Sequence, residues 1–154
     1  MKLAIVSTTI HGEKGYLPYD RLAKKSKFDW VKFFVAGDKK SLPFDTSPFL
    51  SDIEYLTPEI QAKYASSEAL GWNKPARRNI ALLRAIEMDP DFILTIDDDN
   101  IPSDDYFDLW YRVLTNPVER HVVGIKDIEH AHWHNYLAHT DAEFEMHPRG
   151  FPIP

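Results

Sequence analysis

The fold is decided by the stretch Asp91-Phe92-Ile93-Leu94-Thr95-Ile96-Asp97-Asp98-Asp99-Asn100-Ile101-Pro102, in which an apolar segment of strand length ends in three consecutive carboxylates. Short apolar runs of this kind are typical of buried strands in parallel sheets. Neighbouring carboxylates repel one another unless a positive group binds them. Because side chains alternate along a strand, we expect Asp97 and Asp99 on one side and Asp98 on the other.

Asp97 and Asp99 are predicted to hold a divalent cation. Mg²⁺ and Mn²⁺ prefer carboxylate oxygens and complete their coordination with water and phosphate oxygens. Open α/β sheets bind ligands beyond the carboxyl ends of their strands, which is where these aspartates fall. We therefore expect a metal site that holds a diphosphate. The alternative is a solvated turn or a helix cap, since Asp-x-Asp pairs are common by chance.

Three further apolar runs predict strands at residues 3–6, 31–36 and 53–56. The side chains that follow the first two runs and could hydrogen-bond a ribose or a base are Ser7, Thr8, Thr9 and Asp38. Their alternative role is in turns and caps, which is the commoner use of these residue types.

Helices are predicted between the strands. A short lysine-rich helix is expected within residues 20–29, and Thr57 is expected to cap a helix with Pro58 at its first position. Asn73-Lys74-Pro75 opens the most periodic helix, whose apolar stripe consists of Ile80, Leu83 and Ile86.

A last helix is expected after the acidic stretch, capped by residues 103–105 and ending at Asn116. Its predicted apolar face consists of Tyr106, Leu109, Trp110 and Val113. A strand is expected at residues 121–125. Alternating strands and helices predict one α/β domain over residues 1–154, with a mostly parallel, Rossmann-like sheet and helices on both faces. Gly-x-Gly-x-x-Gly and Walker lysine loops are missing from the sequence, so neither a nicotinamide nor a P-loop nucleotide site is indicated.

Composition narrows the classes of ligand. A net charge of −6 argues against non-specific binding to nucleic acid. Without cysteine, the chain forms no disulfide and no thiolate metal site, which leaves oxygen and imidazole ligands. Its apolar runs are too short for a signal peptide core or a membrane span, so we expect a cytoplasmic protein.

Arg77 and Arg78 fall in the first turn of the helix opened by Pro75. The helix dipole disfavours cations there unless an anion is close, and guanidinium groups bind phosphate in bidentate fashion. The pair is therefore predicted to grip a pyrophosphate together with the metal. Alternatively, the two arginines form structural ion pairs with Glu68 or with the aspartates.

Histidines are dense near the carboxyl end, at positions 130, 132, 134, 139 and 147. A zinc site is conceivable, yet the spacing matches no tetrahedral motif. We expect one of them to contact the aspartate-bound ion or a sugar and the others to pack or face solvent. The aromatic side chains among them, Trp133, Tyr136 and Phe144, are expected in the core or at an interface, with stacking on a sugar or a base as the alternative.

Taken together, these segments resemble nucleotide-sugar glycosyltransferases of the GT-A fold, most of all the reversibly glycosylated polypeptide family, which includes UDP-arabinopyranose mutases, and its STELLO-type relatives. The matching segments occur in the same order over most of the chain, at residues 5–9, 35–40, 76–86, 96–100 and 148–152. The last of these, Pro148-Arg149-Gly150-Phe151-Pro152, is similar to the family's Arg-Gly-Tyr/Phe-Pro motif.

The resemblance implies that Asp97 and Asp99 bind Mn²⁺ or Mg²⁺ with the diphosphate of a UDP-sugar, with Asp98 beside them. It implies that the first-strand loop and Asp38 receive the uridine, and that Arg149 occupies the position associated with reversible glycosylation. Family members continue past this motif, so the chain is expected to correspond to their donor-binding half or to a compact relative.

The sequence thus favours a metal-dependent glycosyltransferase or sugar mutase acting on a nucleoside-diphosphate sugar, with UDP as the expected nucleotide. Two alternatives stay open: a non-catalytic nucleotide-sugar-binding module, and a phosphatase of the haloacid dehalogenase type, in which a strand also ends in Asp-x-Asp. The identity of the acceptor and the completion of the site by a homo-oligomer also stay open.

Overall fold

The computed structural model describes residues 1–116, which contain a four-stranded parallel sheet. Its strands are β1 (Lys2–Thr8), β2 (Trp30–Ala36), β3 (Asp52–Leu56) and β4 (Phe92–Thr95). Their order in the sheet is β3-β2-β1-β4. The chain therefore adds β2 and β3 on one side of β1 and β4 on the other, which creates a switch point between β1 and β4. Parallel pairing is confirmed, and so are the four strands predicted within residues 1–116.

Helices pack on both faces of this sheet, as expected. They are α1 (Leu17–Ala23), α2 (Pro58–Gln61), α3 (Ser67–Leu70), α4 (Arg78–Ile86) and α5 (Tyr106–Thr115), with 3₁₀ turns at Glu13–Gly15 and Pro75–Arg77. Alternation along β1 directs Leu3 and Ile5 toward side chains of α1 and α5, and Ala4 and Val6 toward α4. The sheet is thus buried between two apolar layers.

Two helices, α1 and α4, differ from their predicted form. α1 begins at Leu17, with Pro18 in its first turn, and ends at Ala23, so the three lysines predicted for this helix all follow it. In α4, Ile80 is buried as predicted, but Leu83 is 41% exposed and Ile86 is 55% exposed. Ala81 and Ala85 take their place against the sheet, because small side chains let the helix approach the strands closely.

The predicted apolar face of α5 was also partly wrong. Phe107 is its buried residue, whereas Leu109 and Val113 are exposed. The predicted side-chain cap of α5 does not form within residues 1–116. The Ser103 hydroxyl donates to the Asp105 carboxylate at 2.8 Å instead. The cap of α2 is confirmed, since the Thr57 hydroxyl accepts the Ile60 N–H at 3.4 Å.

Four predictions lie outside the described residues: the strand at 121–125, the histidine group at 130–147, the aromatic residues among those histidines, and Arg149. Within residues 1–116, no helix combines the length and the apolar character that crossing a bilayer requires.

Candidate functional site

A cleft of about 470 Å³ opens at the carboxyl ends of β1, β2 and β4. Residues 8–11 line it from the loop after β1, Asp38 and Lys40 from the loop after β2, and residues 97–99 from the loop after β4. Residues 73–75 and Arg78, which lead into α4, complete the lining. Ligands of open α/β sheets bind at such a switch point, so the fold itself marks this cleft as the candidate site.

Asp97, Asp98 and Asp99, hereafter the acidic loop, line the cleft together, although not in the way that strand alternation predicts. β4 ends at Thr95, one β-like hydrogen bond follows from the Ile96 N–H to the Val6 carbonyl at 3.1 Å, and the chain then turns at Asp98. Strand alternation therefore does not extend to residues 97–99, and all three residues line one cavity.

Side chains near β1 hold the start of the acidic loop. The Ser7 hydroxyl donates to the Ile96 carbonyl at 2.8 Å and accepts from the Tyr16 hydroxyl at 3.0 Å. Burial raises the pKa of Tyr16, so this phenol stays protonated and remains a donor. Ser7 is itself buried and does not line the cleft. Its placement fits a structural bond rather than the predicted contact with a nucleoside.

The middle of the acidic loop is fixed by two closer contacts. The Thr9 hydroxyl donates to the Asp98 carboxylate and accepts the His11 N–H at 2.9 Å. Gly15 packs against the loop so tightly that a Cβ there would lie 2.1 Å from the Asp98 carbonyl oxygen. Glycine is therefore required at position 15 by close approach of the two backbones.

Thr8 and Asp38 lie in the cleft as predicted, and both also bond to the protein. The Thr8 hydroxyl donates to the Ala36 carbonyl at 2.9 Å. The buried Asp38 carboxylate accepts the Lys39 N–H at 2.6 Å and the Asn73 N–H at 2.7 Å. Asn73 adopts a left-handed backbone with φ of 57°, which asparagine tolerates better than most residues. Asp38 thus ties the loop before α4 to the end of β2.

Of the two arginines, the structure brings only Arg78 into the cleft. Its guanidinium forms an ion pair with Asp97, while its Nε has no partner among residues 1–116. Asp99 is exposed and makes no hydrogen bond within the same range. The alternative of an arginine–aspartate pair is therefore realised for Arg78, at the edge of an open cavity.

Arg77 is fully buried and points away from the cleft lining. It donates to Gln61 Oε1 at 2.8 Å, to the Ser67 carbonyl at 2.8 Å and to the Ser67 hydroxyl at 3.0 Å, and it stacks on Trp72 with its Cζ 3.8 Å from the ring centre. Burial lowers the pKa of Arg77. This placement corrects the prediction of two guanidiniums on one pyrophosphate.

Sequence reasoning missed four polar residues of the cleft: His11, Lys40, Asn73 and Lys74. Lys74 stands just before Arg77 and Arg78, so the argument about cations at a helix start applied to it equally. Lys40 follows Asp38 in the loop after β2, where the same strand-end reasoning could have found it. The lining therefore contains four carboxylates and three Lys or Arg side chains: Asp38, Asp97, Asp98, Asp99, Lys40, Lys74 and Arg78.

The donor set fits a hard cation that shares its coordination with a ligand. Within the part of the chain that the structure describes, no three His, Cys, Asp or Glu side chains are grouped to hold an ion by themselves. Asp97 and Asp99 nevertheless offer exposed carboxylate oxygens, and Mg²⁺ is commonly bound by one or two carboxylates plus phosphates and water. The site fits a metal that arrives with a phosphorylated ligand.

Comparisons with known proteins add no assignment to this geometry. No protein-family model matches the chain, and no curated protein matches it significantly. The strand order, the acidic loop and the cations beside it are thus the observations on which a functional proposal rests.

Proposed function

We propose that this chain binds a nucleoside-diphosphate sugar, with uridine as the nucleoside, and acts as a metal-dependent glycosyltransferase or sugar mutase of the GT-A type. The observation that carries the proposal is the cleft at the β1–β4 switch point, where Asp97 and Asp99 occur together with Lys74 and Arg78. A diphosphate with its divalent ion presents both signs of charge. It requires carboxylates for the ion and cations for the phosphate oxygens in one cavity.

Each group has a proposed part in this binding. Asp97 and Asp99 would hold Mn²⁺ or Mg²⁺, which when bound neutralises charge that develops on a departing diphosphate. Lys74 and Arg78 would bind phosphate oxygens, with Arg78 exchanging its bond to Asp97 for one to the ligand. Thr8, Thr9 and Asp38 line the part of the cleft expected to receive the nucleoside.

Calorimetric titration with UDP in the presence and absence of MnCl₂ tests this proposal directly. We expect Mn²⁺-dependent binding, and we expect Asp97→Ala and Asp99→Ala each to weaken it about 100-fold, the upper range for disturbed metal sites. Asp104→Ala is the matched control, because Asp104 is an exposed carboxylate nearby that does not line the cleft. Unchanged affinity in both cleft variants would contradict the assignment.

Two assays separate this function from the alternatives. Turnover of a UDP-sugar, as hydrolysis, transfer or ring isomerisation, distinguishes an enzyme from a binding module with the same cleft. Release of phosphate from p-nitrophenyl phosphate that is lost in Asp97→Ala would favour the phosphatase.

A further inference from the structure

A second cavity, of about 330 Å³, adjoins the cleft. Arg78 and Asp97 line both cavities, so their ion pair forms the wall that the two share. The remaining lining comes from α1, from the end of β4 and from α5: Tyr19, Thr95, Ile96, Asn100, Ile101 and Tyr106. We refer to this space as the tyrosine pocket.

The lining of the tyrosine pocket suits a neutral ligand that carries several hydroxyls. Tyr19 and Tyr106 pack edge to face, with ring centres 5.3 Å apart and planes at 82°. Aromatic rings pack against the C–H surfaces of sugars, while phenol, hydroxyl and amide groups can donate to or accept from sugar hydroxyls. Among residues 1–116, Arg78 is the one lysine or arginine in this lining, and it is already paired with Asp97. The pocket therefore lacks the excess positive charge that a second phosphate would require.

Position also favours a group attached to the ligand of the cleft. In a nucleoside-diphosphate sugar the sugar is bonded to the terminal phosphate, so its subsite must adjoin the side chains that bind the diphosphate. The tyrosine pocket meets this condition through Arg78 and Asp97. A cavity of about 570 Å³ beside Trp72 is larger, but within the described part of the chain it shares no lining residue with the cleft.

We infer that the tyrosine pocket is the subsite for the glycosyl group, with the Tyr106 hydroxyl and the Asn100 amide selecting among sugars and Tyr19 forming its rigid side. The inference rests on the proposed function. It assigns the nucleotide to one side of the Arg78–Asp97 pair and the sugar to the other. Movement of Arg78 onto the diphosphate would open the wall between the two spaces.

The test compares UDP with UDP-glucose, UDP-galactose and UDP-arabinopyranose, each titrated calorimetrically in the presence of MnCl₂. Tyr106→Phe removes the phenol hydroxyl and retains the ring. Asn100→Ala removes the amide at an exposed position. We expect each to weaken at least one UDP-sugar by about 3- to 10-fold, the value of one hydrogen bond, with UDP affinity unchanged. Tyr111→Phe, on the same helix but outside both linings, is the control.

The outcomes separate this inference from the function beneath it. If UDP binds with Mn²⁺ and neither variant changes the affinity for any UDP-sugar, the subsite is wrong and the cleft assignment stands. Equal weakening of UDP and UDP-sugars would also overturn the subsite, because the residues would then support the cleft structurally. If wild-type protein does not bind UDP, both proposals fail together. Thermal unfolding of each variant confirms that the comparison is made on folded protein.

Discussion

The buried cluster of Gln61, Ser67 and Arg77 and the neighbouring cleft contain similar polar groups, but the cleft leaves some of its groups without a partner among residues 1–116. Arg77 donates to Gln61 and Ser67, and Gln61 Nε2 in turn donates to the Gly37 carbonyl at 2.6 Å and the Leu56 carbonyl at 2.7 Å. In the cleft, the Nε of Arg78 and the carboxylate of Asp99 have no partner among residues 1–116. Unused hydrogen-bonding capacity beside a cavity, rather than residue type, is what distinguishes a candidate site from a polar core.

Arg77 and Arg78 show this difference most directly, because they are adjacent in the chain. Successive helical residues differ by about 100° around the axis, so one side chain enters the core when the next points elsewhere. Arg77 is completely buried, whereas the Arg78 side chain is 28% exposed. The comparison can be tested by removing each guanidinium separately.

Arg77→Met should have the largest effect on stability, a loss of about 3–5 kcal/mol in the free energy of unfolding, because the buried partners of the guanidinium are left without donors. Arg78→Met should cost less than about 1 kcal/mol, the usual value of an exposed ion pair, while weakening UDP binding. Urea unfolding followed by circular dichroism measures both. Equal losses of stability would remove the distinction between cluster and cleft.

The sequence predicted the sheet because the signal for a buried strand is local. Each strand is a continuous apolar run, and the residues after the runs meet at one edge since parallel strands share their carboxyl ends. That reasoning correctly grouped Thr8, Thr9, Asp38 and the acidic loop. Their relative orientation could not be predicted, because it depends on the turn that begins after Thr95.

The burial of Arg77 and its hydrogen-bond partners could not be predicted from the local sequence pattern. Its partners Gln61 and Ser67 lie 16 and 10 residues earlier, and the acceptor role of each arises only after α2 and α3 have packed. The same holds for Gly15, whose close contact with Asp98 joins segments far apart in the chain. Such contacts between distant segments set the geometry of the site.

Gly15→Ala should have the next largest effect, and it should disturb the cleft rather than the buried cluster. The added Cβ would meet the Asp98 carbonyl at 2.1 Å, so the acidic loop has to move. We expect a loss of about 1–3 kcal/mol in stability and a large loss of Mn²⁺-dependent UDP binding. Gly12→Ala is the matched control, since its Cβ would lie 3.2 Å from the nearest atom, the Pro43 carbonyl. Full UDP affinity in Gly15→Ala would show that the loop position is not critical.

Thr9→Val isolates the single hydroxyl that links β1 to the acidic loop. Losing its bonds to Asp98 and to the His11 N–H should lower stability by about 1 kcal/mol. UDP affinity should fall because Asp98 is no longer held in the cleft. Thr9→Ser retains the hydroxyl and should restore both quantities, as measured by urea unfolding and calorimetry. If Thr9→Ser behaves like Thr9→Val, packing of the methyl group rather than the hydrogen bond fixes the loop.

The smallest effect is expected at Glu54. Its ion-pair partners, Lys32 and Arg84, are partly buried, and so is Glu54 itself. Its carboxylate accepts from Arg84 at 2.7 Å and lies 3.4 Å from the Lys32 ammonium. Partial burial acts to raise the pKa of Glu54, but the bonds and charges of Arg84 and Lys32 outweigh it and hold the pKa below the reference value of 4.5. The folded state therefore binds this proton more weakly than the unfolded state does.

Stability from Glu54 is accordingly present above pH 4.5 and is lost as the pH falls through the lower pKa of the folded state. Glu54→Gln should reduce the free energy of unfolding by less than about 1 kcal/mol at pH 7, and the difference from wild type should vanish in acid. Urea unfolding of both proteins at several pH values between 7 and 3 measures this, and other carboxylates cancel because both proteins contain them. A difference that persists in acid would mean that Glu54 acts through packing. The contribution of Glu54 would then resemble that of the residues in the buried cluster, which does not depend on an ion pair.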